Sequence, residues 1–182
     1  MKKLLFLAAT GLLLLSCNKE MIEKQTEENT VAKTGAQNKP RSVGAVQIRG
    51  TSLYDATDEC NSAAQGATYA LNMTGDLVGC WYIFVDEYDC SPSGTYREIG
   101  RELFVGTYMG QEGTFWTTYK FEAKYEGCAE DGSYIGAEIF GRCQHPIIDG
   151  SGTGVFEGVD GRLDMKDDIE AGDFPYRGHL QF

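Results

Sequence analysis

From Thr114 to Tyr125 the chain alternates without a break: Phe115, Thr117, Tyr119, Phe121, Ala123 and Tyr125 share one face, and Thr118, Lys120, Glu122 and Lys124 share the other. A period of two belongs to an extended chain, so this stretch predicts a long, half-buried strand. The C-terminus repeats the pattern, with Phe174, Tyr176, Gly178, Leu180 and Phe182 opposite Arg177, His179 and Gln181. Leu163, Met165 and Ile169 alternate with Arg162, Asp164, Lys166 and Asp168. Five more strands are predicted at Val43 to Arg49, Ala67 to Met73, Val78 to Tyr88, Thr95 to Val105 and Tyr134 to Cys143, separated by turn groups such as Ser91-Pro92-Ser93-Gly94 and Ala129-Glu130-Asp131-Gly132. No intervening segment has the length and 3.6 periodicity of a substantial helix, which removes parallel crossovers and leaves hairpins. The prediction is an all-β, antiparallel, eight-stranded up-and-down barrel of the calycin-like kind, in which closure removes the strand edges. A two-sheet Greek-key β-sandwich is the alternative.

The first forty residues break this pattern. Lys2 and Lys3 precede an apolar run from Leu4 to Leu15 that is too short to span a hydrocarbon core of ~30 Å as a helix, and it reads as the h-region of a signal peptide. The run closes on Leu14-Leu15-Ser16-Cys17, which resembles the bacterial lipobox. That resemblance implies cleavage before Cys17 and a lipid on its thiol, so the membrane becomes a partner through an anchor. Asn18 in place of an aspartate favours the outer membrane, facing either the periplasm or the exterior. Residues 18–42 hold no aromatic side chain and many polar ones, the composition of a flexible tether. The expected organisation is therefore a signal peptide at 1–16, a lipidated cysteine and tether at 17–42, and a β-barrel domain at 43–182.

Composition sharpens that division. The chain has 182 residues with 16 basic and 27 acidic side chains, and the acidic excess is concentrated in residues 43–182, which carry 9 and 23. Such a surface repels phosphate backbones, so nucleic acid is not expected as a partner. All but one of the aromatic residues also fall in this domain, as a sheet protein requires.

Near the C-terminus, Gly152, Thr153, Gly154, Phe156, Gly158 and Gly161 form a glycine-rich turn ahead of the last two strands. The glycines allow a tight crossing at positive φ, and Phe156 can plug one barrel end. Over about thirty residues this segment resembles the allene oxide cyclase and dirigent barrels. The resemblance implies an eight-stranded barrel with an apolar lumen, assembly into dimers or trimers, and use in cyclisation or in guiding phenolic radical coupling. It assigns no catalytic residue, because only the turn matches.

The strand at Thr95 to Val105 holds the main irregularity. Glu98 and Glu102 share a face with Tyr96 and Phe104, whereas Arg97 and Arg101 share the other with Ile99, Leu103 and Val105. If the barrel closes regularly, one charged pair enters the lumen, and a lumenal carboxylate can act as general acid or base or hold a polar ligand head. Glu98 and Glu102 are thus the candidate catalytic residues. The plainer expectation is a bent or bulged strand with both pairs solvated or ion-paired. Glu138 and Arg142, beside Phe140, are likewise expected as an outer-face ion pair. Asp164, Asp167, Asp168, Glu170 and Asp173 lack the spacing of a calcium loop, and Cys143, His145 and His179 give no convincing zinc set, so no metal or other cofactor is called for. Ser151, His145 and Asp149 lie too close together along the chain to make a trusted triad.

Five cysteines follow Cys17. Beyond the inner membrane thiols tend to pair, which predicts two bridges and one spare thiol. In the meander Cys60, Cys90 and Cys128 fall near one barrel end and Cys80 and Cys143 near the other, predicting Cys80 to Cys143 and Cys90 to Cys128. Ten residues of strand keep Cys80 and Cys90 roughly 30 Å apart, beyond bonding.

Three functions are compatible with this sequence: a lipid-anchored module whose barrel binds a small apolar or aromatic ligand or acts as a scaffold, an isomerase or cyclase with a lumenal carboxylate, and a filled barrel that associates with copies of itself. No catalytic set is specific, so binding is read ahead of catalysis. The lumen separates them: filled for structure, empty and apolar for binding, empty with a buried glutamate for catalysis.

Overall fold

A computed structural model of the protein describes residues 44–182. The signal-peptide and tether readings, and the lipidation site Cys17, lie outside the described residues.

All eight predicted strands form: β1 (Val46–Tyr54), β2 (Tyr69–Gly75), β3 (Leu77–Cys90), β4 (Thr95–Tyr108), β5 (Gln111–Cys128), β6 (Tyr134–Pro146), β8 (Asp160–Lys166) and β9 (Phe174–Gln181), with a two-residue β7 (Thr153–Gly154) between β6 and β8. Each pairs antiparallel with its neighbour in sequence, β9 returns to β1, and the eight-stranded barrel closes. β7 lies against the start of β5 at Gly113 and Thr114. Closure gives every long strand a neighbour on both sides, although β3 beyond Ile83 and β6 before Gly141 pair on one side only.

Alternation decides what fills the barrel. Phe115, Thr117, Tyr119, Ala123 and Tyr125 of β5 are buried as the pattern requires, as are Tyr176 and Leu180 of β9 and Leu163 and Met165 of β8. Ile169 departs from it, lying beyond the end of β8 and 48% exposed. Three register shifts interrupt the pairing, one between β3 and β4 and two between β5 and β6, and two of them redirect side chains into the barrel. An extra residue in β3 between Val85 and Glu87 turns Cys90 inward, and one in β6 between Glu138 and Phe140 turns Glu138 inward.

One end of the barrel is solid. Trp81, Phe104, Phe115 and Phe156 are fully buried there, with the Phe156 ring 4.9 Å from Phe115 and 5.7 Å from Phe104. The glycine-rich turn places Phe156: Gly154, at φ 59°, lets β7 press onto β5, where a side chain would meet the Glu112 carbonyl.

The disulfides are Cys60–Cys80 and Cys90–Cys128, and Cys143 is a free, buried thiol. The second bridge agrees with the sequence expectation, and the first corrects it. Trp81 and Ile83 point into the barrel, so their neighbour Cys80 points out, whereas Cys143 lies in the core. The barrel wall separates the two thiols. Cys60 reaches Cys80 because the β1–β2 loop, with the short helix α1 (Ser62–Gln65), folds down the outer wall, where Tyr82 donates its hydroxyl proton to the Cys60 carbonyl. Asp55 holds the loop by accepting the backbone N–H groups of Glu59 and Cys60 and the amide of Asn72.

Candidate functional site

β4 stays regular through its charged stretch, so the expected bend is absent and Glu98 and Glu102 both enter the barrel, 8% and 3% exposed. Arg97 and Arg101 go outward to Glu122 and Asp86. Between the two glutamates the inward position is Gly100, opposite Tyr119 of β5. A side chain at Gly100 would strike the Tyr119 ring at 2.7 Å. Glycine therefore lets that ring lie over β4 and its hydroxyl reach Glu98.

Glu98 accepts three hydroxyls: Tyr119 at 2.7 Å and Tyr69 at 3.4 Å on Oε1, and Tyr96 at 2.7 Å on Oε2. Burial, reinforced by Glu98, pushes the phenols of Tyr69, Tyr96 and Tyr119 far above their ordinary range, so all three remain donors. Glu102 lies one inward step deeper than Gly100 and holds a different set. On Oε2 it accepts the Thr117 hydroxyl at 2.6 Å and meets His145 Nδ1 at 2.7 Å. Both partners of the Glu102–His145 pair are 3% exposed. The His145 ring lies between Trp81, edge-on at 5.6 Å, and Tyr119, stacked at 6.4 Å, and its Nε2 has no hydrogen-bond partner among the described residues. As its spacing from His145 requires, Cys143 shares this face, with Sγ 3.9 Å from Nδ1. Burial, with Glu102 nearby, pushes that thiol far above the usual range and leaves it unreactive.

These groups form the floor and one wall of a cavity of about 380 Å³, with Leu71, Ile83 and Met165 as apolar surface. Its mouth lies at the end opposite Phe156. There the Tyr125 and Tyr134 rings stack at 4.0 Å, Tyr96 meets Tyr125 edge-on at 5.9 Å, and Tyr54 meets Phe174 edge-on at 5.0 Å. Glu138, brought in by the β6 bulge, faces Asp167 from the end of β8 across Gly141, where a side chain would collide with both carboxyls. Burial and the neighbouring Glu138 raise the Asp167 carboxyl from 3.8 to about 8. Arg142, expected as the partner of Glu138, instead points outward to Glu122 at 2.9 Å, because the bulge separates their faces.

No lysine or arginine lines the cavity. Among the described residues no three His, Cys, Asp or Glu side chains are grouped to hold a metal ion. Asp164 pairs with Arg162, Asp173 accepts from Thr51, and Asp168 closes a turn by accepting the Ala171 N–H. Ser151 serves β5 through the Trp116 backbone, away from His145.

The sequence named Glu98 and Glu102 but not their partners. Tyr96 was legible as the residue two before Glu98. Tyr69, Tyr119 and His145 come from other strands and required the barrel register. Glu138 and Asp167 required the bulge. Compared with known proteins, the chain matches no family model, no curated protein and no solved structure.

Proposed function

We propose that this protein is a lipid-anchored barrel that binds one small molecule with an aromatic or apolar body. The cavity carries this reading: it is sealed by Phe156 below, open between aromatic rings above, and at about 380 Å³ within the ~300–1,000 Å³ of ligand pockets. A barrel made only to be filled would place side chains in that space. Anchoring rests on the sequence alone, on Lys2, Lys3, the apolar run and Cys17. Native mass spectrometry of the full protein, released gently from its envelope, is expected to show a small mass that leaves on denaturation. A bare mass under every condition overturns the binding reading. Labelled palmitate entering the wild type but not Cys17→Ser tests the anchor separately.

A second reading is favoured by the buried Glu102–His145 pair. Two titratable groups in hydrogen-bond contact at the floor of an otherwise aromatic pocket can pass a proton to and from a bound molecule, the step an isomerase or cyclase needs. Glu98, fully engaged by tyrosine hydroxyls, suits holding more than proton transfer. On this reading Glu102→Gln and His145→Gln retain the bound mass but lose its conversion. Conversion persisting in both variants would remove it.

A further inference from the structure

The cavity has a marked imbalance of charge. Glu98 and Glu102 lie along one wall and Glu138 and Asp167 at the mouth, against a single imidazole and no lysine or arginine. Burial beside Glu138 keeps a proton on Asp167 near neutral pH, which an entering cation can displace. The surrounding domain is itself strongly acidic, so the field at the mouth adds to that of the wall. Aromatic rings crowd the same opening, and a ring face is the negative part of its quadrupole.

From this charge and these rings we infer that the ligand is an organic cation, an amine or quaternary ammonium on an aromatic or apolar body, its head held between Glu138, Asp167 and the mouth tyrosines. This deepens the binding reading and rests on it.

Each alternative meets an unfavourable contact. A carboxylate, phosphate or sulfate ligand would enter a low-dielectric space already holding four carboxyls, with no cationic side chain to receive it. A neutral apolar ligand would fill the volume but leave the carboxyls of the wall and mouth without a counter-charge. An ammonium head supplies the missing positive charge, and its alkyl or N–H groups can lie on the faces of Tyr54, Tyr125 and Tyr134. The deeper apolar surface of Ile83, Leu71 and Met165 then takes the body. The floor offers the unpartnered Nε2 of His145 to a polar group at the far end.

Calorimetric titration of the full-length protein with three probes of one shape tests this: phenethylammonium, 2-phenylethanol and phenylacetate. The cation is expected to bind about tenfold tighter than the alcohol, with the carboxylate weakest. The isosteric variants Glu138→Gln and Asp167→Asn are each expected to remove about threefold or more of the cation's advantage while leaving the alcohol within about twofold. Equal binding of cation and alcohol, or tightest binding of phenylacetate, overturns the cation inference and leaves the pocket reading intact. If none of the three binds, the mass retained from the envelope decides. A cationic ligand there upholds the inference, a neutral or anionic one overturns it, and no ligand at all overturns both readings.

Discussion

Tyr119 shows how much one side chain carries here. Its ring fills the space left by Gly100, its hydroxyl holds Glu98 at 2.7 Å, and its face lies against His145. Tyr119→Phe keeps the ring and removes only the hydroxyl, so Glu98 loses one of its three donors in a buried setting. Leaving a buried acceptor without its donor costs about 1–3 kcal/mol, and Tyr69 at 3.4 Å can close on the freed oxygen. We therefore expect a loss of about 1–2 kcal/mol in urea-induced unfolding. A change within error would mean that Glu98 is solvated rather than held. Glu98 and Glu102 were legible as residues because alternation along one strand needs no knowledge of the others. Their β5 partners, Thr117 and Tyr119, were hidden because the β4–β5 register is set by a two-residue turn, Met109-Gly110, in which both residues have positive φ. Asparagine marks such turns in sequence, and methionine conceals this one.

At the scale of elements, parity explains both the success and the failure of the cysteine reading. Cys90–Cys128 joins β3 to β5 across the end of β4, where the meander brings them together. Cys80 to Cys143 failed although the facts against it were in the sequence: Trp81 and Ile83 had to face the core, so Cys80 could not. The partner it does take was not legible, because the β1–β2 loop has no repeating pattern and its path down the wall depends on Asp55 capping groups that only folding brings together. Most strands were legible to within about three residues of their ends, since a half-buried sheet repeats its signal every second residue, but β1 runs on to Tyr54, well past its expected end at Arg49. Thiol mapping tests the arrangement. Without reduction, digestion is expected to yield Cys60 joined to Cys80 and Cys90 joined to Cys128, and a thiol reagent should reach Cys143 only after denaturant is added. Modification of Cys143 at the same rate in folded and unfolded protein would place it outside the wall. Each bridge closes a loop, of 20 and 38 residues, and so contributes about 3–4 kcal/mol through the unfolded chain.

For the whole molecule, the acidic mouth couples stability to pH. Asp167 has its carboxyl raised from 3.8 to about 8 in the folded barrel, by burial first and then by Glu138. The other titratable groups facing it are Tyr54 from β1, pushed up to about 12, and the Cys143 thiol from β6. Neither changes charge below pH 8, so the window belongs to the carboxyl pair. Between pH 4 and 8 the folded state holds a proton that the unfolded chain has released, and stability must fall as pH rises. The favourable contribution is complete below 3.8 and gone once the pH passes about 8. Asp167→Asn has no such proton, so the Tm of the wild type relative to this variant should decline from pH 5 to pH 8.5. Solvent at the mouth screens the effect, and a decline of about 2–3 °C is expected. A difference that stays flat over that range would show that Glu138 and Asp167 do not share a buried environment. A bound cation should flatten the decline, because its charge lets Asp167 ionise within the fold and releases the proton on binding rather than on unfolding.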